Sequence, residues 1–213
     1  MDLNAIKRLA HQGEGQKLEF KKKANHPEKI VKELVAFANS DGGTLLLGVD
    51  DDGTASGVRS VEGELFIVEE SIKERIRPRL NYTTELVKVN EKKGIAIIQV
   101  EPAQGKVFGV KEDTDRKYAT TYVRKQDESL KASKEMREII ERRNKGKDIQ
   151  FTYDEKVKTA ISLAESNGSI TIAEFVAAAK ISRFIASRVL VRLVLANVME
   201  IIPMPIQDEY ILK

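Results

Sequence analysis

The 213-residue chain has no cysteine, which excludes disulfide scaffolds, thiolate zinc sites and thiol nucleophiles together. Its two histidines, His11 and His26, stand at no metal-ligand spacing and read as ordinary surface residues. No apolar run approaches the length that spans a bilayer, and Met1-Asp2-Leu3-Asn4 lacks the basic-then-apolar order of a secretory signal. The expectation is a cytoplasmic protein with no membrane partner. A Walker loop needs Gly, four residues, then Gly-Lys-Ser or Gly-Lys-Thr to wrap phosphates; Gly13-Glu14-Gly15-Gln16-Lys17 is only a loose echo, so the sequence gives little support to ATP binding. There is no Rossmann fingerprint, no Ser-His-Asp arrangement, no internal repeat and no low-complexity tract.

Charge of one sign is also scarce: 36 basic against 33 acidic side chains leave a net charge of +3. Residues 151–213 hold seven of each and sum to zero, so the whole excess lies in the first part. There Lys17, Lys21, Lys22, Lys23, Lys29 and Lys32 crowd into a short stretch. Such a run is either a solvated face or a phosphate-contacting surface.

What the chain does have is 41% hydrophobic residues, enough to bury a core in each of two modest domains. Leu3, Ile6 and Leu9 set a short leading helix. Leu18 and Phe20 face one side of a strand, with Lys17, Glu19 and Lys21 on the other; Ile30, Val31, Leu34, Val35 and Ala38 then form a helical stripe. The strand at 44–49 reads as apolar throughout, hence buried on both faces and central in its sheet. Asn39 and Gly42-Gly43 are expected to supply the positive-φ positions between helix and strand. A helix at 61–77 stops at Pro78, strands 86–89 and 95–100 pair as a hairpin across residues 90–94, and 106–110 and 118–124 are further strands around a polar loop at 112–117. A charged helix at 133–144 precedes a linker at 145–150.

The order of these residues resembles the Schlafen-type AlbA domain. The resemblance is carried by Glu14, Glu19-Phe20-Lys21, Ala36-Phe37-Ala38-Asn39, Gly42-Gly43, Gly48-Val49-Asp50, Tyr122-Val123-Arg124 and Ala132-Ser133, and spans residues 14–140. Gly15 stands where Ser is usual, and Ser40-Asp41 replaces the common Thr before the glycines. The resemblance implies an α/β (α+β) domain with a mixed sheet over residues 1–144 and a nucleic-acid-binding role, DNA ahead of RNA, with Lys17, Lys21, Lys22, Lys23 and Arg124 as contacts and no required cofactor. It also implies an alternative: in Schlafen proteins with endoribonuclease activity the positions of Glu14, Glu19 and Asp50 form a Mg²⁺ or Mn²⁺ site that activates water. Against this, Glu19 between two lysines reads equally as a salt-bridged residue, and Asp50 as a turn residue.

Beyond the linker the pattern changes. Helices at 154–166, 171–179 (Thr171 with Glu174 forming a capping box) and 182–196 precede short strands at 198–202 and 209–212. Over 151–213 this resembles a winged helix-turn-helix domain whose third helix offers Arg183, Ser187 and Arg188 to DNA. The domain is neutral, however, with Asp208 and Glu209 in its wing, so dimerisation competes with DNA reading. Ile185, Val189, Leu190, Leu193, Val194 and Leu195 supply the apolar surface for an expected homodimer. The combined expectation is a two-domain transcriptional regulator.

Overall fold

The computed structural model describes residues 1–103, 106–112, 118–143 and 152–213. The expected linker at 145–150 and most of the expected polar loop at 112–117 lie outside them. The chain divides into two units, Met1–Lys131 and Ala132–Lys213.

In the first unit, α1 (Leu3–Ala10) begins at Asp2, whose carboxylate accepts from the Ala5 amide at 2.7 Å. Next come β1 (Leu18–Lys21), α2 (Pro27–Ala38), β2 (Gly43–Leu47), β3 (Val58–Arg59), α3 (Val61–Arg75), β4 (Ile76–Arg77), β5 (Thr83–Asn90), β6 (Lys93–Val100), β7 (Gly109–Val110), β8 (Tyr122–Lys125) and β9 (Glu128–Lys131). The main sheet is mixed, as expected. β1 runs parallel to β2; β2 and β5 pair antiparallel with β6, and β3 pairs with β6 beyond the end of β2. Two small antiparallel pairs, β4 with β7 and β8 with β9, complete the unit.

Alternation along β2 explains its apolar sequence. Leu45 and Leu47 enter the cluster formed with Ile30, Leu34 and Val35 of α2 and Val68 and Ile72 of α3. Leu46 points into the opposite cluster with Ile6 and Ala10 of α1, Leu18 and Phe20 of β1, and Ile95 and Ile97 of β6. The strand is therefore covered on both faces and flanked by strands on both edges.

The turn between α2 and β2 differs from expectation at two of its three positions. Gly42 does have φ +72°, but Asn39 ends the helix at φ −82°, within ordinary helical space. Gly43 is needed for space instead: a Cβ there would come within 2.4 Å of the buried Phe37 ring. The hairpin at 90–94 is tighter than expected, because pairing of β5 with β6 continues to Asn90 opposite Lys93 through a register shift.

The second unit contains α4 (Lys134–Arg143), α5 (Glu155–Asn167), α6 (Ile172–Ala179), α7 (Arg183–Leu195), β10 (Met199–Ile202) and β11 (Glu209–Leu212). The helix expected to close the first domain thus belongs with the second. Asp154, Thr171 and Ser182 cap α5, α6 and α7 with their side chains, and the Thr171/Glu174 capping box is complete. β10 and β11 form a hairpin, and Ile170 bridges to Tyr210.

Candidate nucleic-acid interface

Two charged residues of the motif, Glu19 and Arg124, turn inward. Glu19 on β1 is 4% exposed, and one of its carboxylate oxygens accepts from Nη2 of Arg124 on β8 at 2.7 Å. The other accepts from the Lys21 ammonium. The Arg124 side chain is wholly buried; Nη1 donates to Glu33 of α2 at 2.6 Å and to Ser129 of β9, while Nε and Nη2 donate to the carbonyls of Gly15 and Leu18. Its guanidinium lies 5.0 Å from the centre of the Phe37 ring. Two carboxylates and two cations balance, and the planar fork of Arg124 meets β1, α2, β9 and the Gly15 segment at once. Burial pushes the Glu33 carboxyl above the ordinary range, opposed by the Ser129 hydroxyl and Arg124.

This arrangement corrects the expectation for Arg124. It offers no surface to a nucleic-acid phosphate; it ties β8 to β1 and α2. Glu33 was not foreseen at all, because it lies off the apolar stripe of α2 and so resembles a solvent-facing residue.

The three carboxylates Glu14, Glu19 and Asp50 do not assemble into a cation site. Glu14 accepts from the Phe20 amide at 2.8 Å, and its carboxyl is held above the ordinary range by partial burial and by the neighbouring Glu19 charge. Glu14 and Glu19 therefore do meet. Asp50 is engaged separately, by Lys22 at 2.8 Å and by the Ser56 hydroxyl, which hold its carboxyl below the ordinary range. Among the described residues no three His, Asp or Glu side chains are placed to share a metal ion.

Asn39, which closes the Ala-Phe-Ala-Asn run, is a second buried fastener. Its Nδ2 donates to the carbonyls of Phe108 and Tyr122 at 2.9 Å each, and its Oδ1 accepts from the Phe108 amide at 2.9 Å. One amide side chain thereby satisfies backbone groups from two distant segments.

The lysines divide the other way. Lys21 is half-buried on Glu19, and Lys32 sits 3.8 Å from Glu112 and over the Tyr122 ring. Lys22 is exposed although paired with Asp50. Lys17, Lys23 and Lys29 are exposed and make no ion pair among the described residues. Of the lysines crowded between Lys17 and Lys32, these three and Lys22 are left on the surface.

In the second unit, α7 does not present its expected residues freely. Glu135 of α4, 5% exposed, accepts from the Ser187 hydroxyl at 2.8 Å and lies 3.8 Å from the Arg183 guanidinium. Ser133 donates to Asp208 at 2.5 Å, fixing the start of α4 beside the β10–β11 loop. Of the three nominated side chains, Arg183 and Arg188 remain exposed, and Arg188 is stacked 5.4 Å from the ring centre of the exposed Phe184. Leu190, Leu193 and Val194, expected to feed a dimer, are buried inside the unit itself; Ile185 is 38% exposed. No helix among the described residues is long and apolar enough to cross a membrane.

Comparison with known proteins gives three findings. No curated protein matches the chain. Among solved structures, the DIP2311 protein from Corynebacterium diphtheriae is similar at 17% identity with a TM-score of 0.42, over 76% of this chain and 32% of that one, so this chain spans about a third of its length. The family model described as Schlafen, AlbA_2 matches residues 14–133, the region whose motif builds the Arg124 network. The chain belongs to the Schlafen AlbA_2 family, and membership is consistent with nucleic-acid binding.

Proposed function

We propose that this protein is a nucleic-acid-binding transcriptional regulator that holds the phosphates of DNA through Lys17, Lys22, Lys23 and Lys29 of its AlbA-type unit. The observation that carries this reading is the division of charge within the motif. Carboxylates and Arg124 neutralise one another inside, while Lys17, Lys23 and Lys29 stay exposed without an ion pair among the described residues. Exposed cations on a rigid frame provide the sequence-independent part of affinity through counterion release.

The second unit has the helix and hairpin order of a winged helix, and its role in this reading is self-association. Ser187 and Arg183 are drawn to Glu135, the loop carries Asp208, and Phe184, Ile185 and Ile206 are exposed apolar side chains of this unit. Sedimentation of the full chain at micromolar concentration tests this: a parent that is only monomeric removes the dimer.

The phosphate surface is tested by replacing Lys17, Lys22 and Lys23 together with Gln and titrating duplex DNA over a range of salt. Each lost contact should flatten the log–log salt slope by about 0.9, without base preference. An unchanged slope rejects the surface. Lys21 is left in place, because it balances the buried Glu19.

A further inference from the structure

The segment between α3 and β5 borders two cavities of the first unit, of 880 and 570 Å³, and Tyr82 stands in the wall of both. Either volume suits a nucleotide-sized group. The Tyr82 ring is half-buried and packs against the main core cluster, so its position is fixed by the fold. The cations in the walls are Lys73, Arg77 and Arg79 on one side and Lys17 on the other. Lys73 is paired with Glu70 at 2.7 Å, and Arg77 donates to the carbonyls of Lys73 and Ile76, whereas Arg79 and Lys17 are exposed with no ion pair among the described residues. Glu69, Asp41 and Glu101 share the same walls.

With three acids against four bases, charge alone holds a polyanion here only weakly. An aromatic ring is different: base–aromatic stacking contributes about 1–3 kcal/mol per base, tolerates any base, and needs a base that is not already stacked in a duplex. We propose that Tyr82 is a stacking platform for one base of single-stranded nucleic acid, with the adjoining phosphates on Arg79 and Lys17. This rests on the nucleic-acid reading above and adds to it the form of the ligand and a second contact surface.

The test uses the full chain and fluorescence anisotropy with labelled single-stranded DNA and RNA of about 12 nucleotides, within the usual site sizes for such surfaces, and with a duplex of similar length. Tyr82→Leu keeps apolar packing but removes the π-face; Tyr82→Phe keeps both. Tyr82→Leu should weaken single-strand binding by about 5- to 150-fold with the salt slope unchanged, leave duplex binding as in the parent, and contrast with Tyr82→Phe, which binds like the parent. Arg79→Gln should flatten the single-strand slope by about 0.7. The stacking assignment is overturned if Tyr82→Leu binds single strands as the parent does, if it weakens duplex equally, or if Tyr82→Phe falls as far as Tyr82→Leu. Salt-dependent binding of the parent with no effect of Tyr82→Leu removes this proposal alone; no nucleic-acid binding by the parent removes both.

Discussion

Each unit of this protein buries one glutamate near an arginine, and the two cases differ in what the pairing does. Glu19 meets the wholly buried Arg124, which also holds Glu33, Ser129 and two carbonyls. Glu135 meets a hydroxyl, Ser187, and an arginine whose side chain is 67% exposed and 3.8 Å away. In the first case Arg124 and Glu19 have left water and Glu33 has mostly done so, and each depends on the others being charged and in place. In the second, Arg183 keeps most of its hydration, so its attraction to Glu135 is screened. The same residue types therefore make a structural fastener in one unit and a weak tether in the other.

The largest expected effect breaks the first side of this comparison. Arg124→Met leaves Glu19 and Glu33 buried without their cation, and should destabilise the first unit by about 3–5 kcal/mol, read as a fall in the urea midpoint. A loss below about 1 kcal/mol would mean that water or Lys21 already compensates those carboxylates. Next is Asn39→Ala, which strands two carbonyls and one amide in the interior; about 2–3 kcal/mol should be lost, again in urea unfolding.

Ser187→Ala in the second unit removes one hydrogen bond to a buried carboxylate, at a cost of about 1–2 kcal/mol, whereas Arg183→Ala should cost less than about 1 kcal/mol. A double-mutant cycle between Arg183 and Glu135 that gave a coupling as large as that of Arg124 with Glu19 would erase the contrast drawn between the units.

The smallest effect is a pH dependence. The Glu14 carboxyl is raised in the folded chain by partial burial and by Glu19, so the folded state binds that proton more tightly than the unfolded state does. Its contribution to stability is therefore greatest below the unfolded value near 4.5 and is lost as pH rises through the folded value. Glu14→Gln keeps an oxygen for the Phe20 amide and removes this titration. Its stability should differ from the parent by no more than about 0.5 kcal/mol at neutral pH, in the favourable direction, and its profile should be flatter above pH 4.5. A steeper profile in the variant contradicts the assignment.

Local pattern carried most of the fold. Apolar spacing located α2, β2, α3 and all three helices after the 145–150 linker, and capping chemistry placed the starts of α6 and α7 within a residue. The two-residue strands β3 and β4 were missed because strands so short leave no periodic signal. β9 carries no apolar alternation, because its partner is only β8 and much of it faces water.

The chemistry of the site was legible only as a set of residue types. The sequence by itself determined that Glu14, Glu19, Asn39 and Arg124 belong to one family motif, and that lysines crowd around β1. Which of these face water was decided by the tertiary structure alone. Arg124 lies about a hundred residues from Glu19 in the chain, and a charge reads as a surface group until a distant segment supplies its counter-charge. Asn39 likewise has the signature of a helix end, yet its amide serves carbonyls 69 and 83 residues away. Burial of a polar group depends on partners brought together by the fold, and periodicity along one segment contains no information about them.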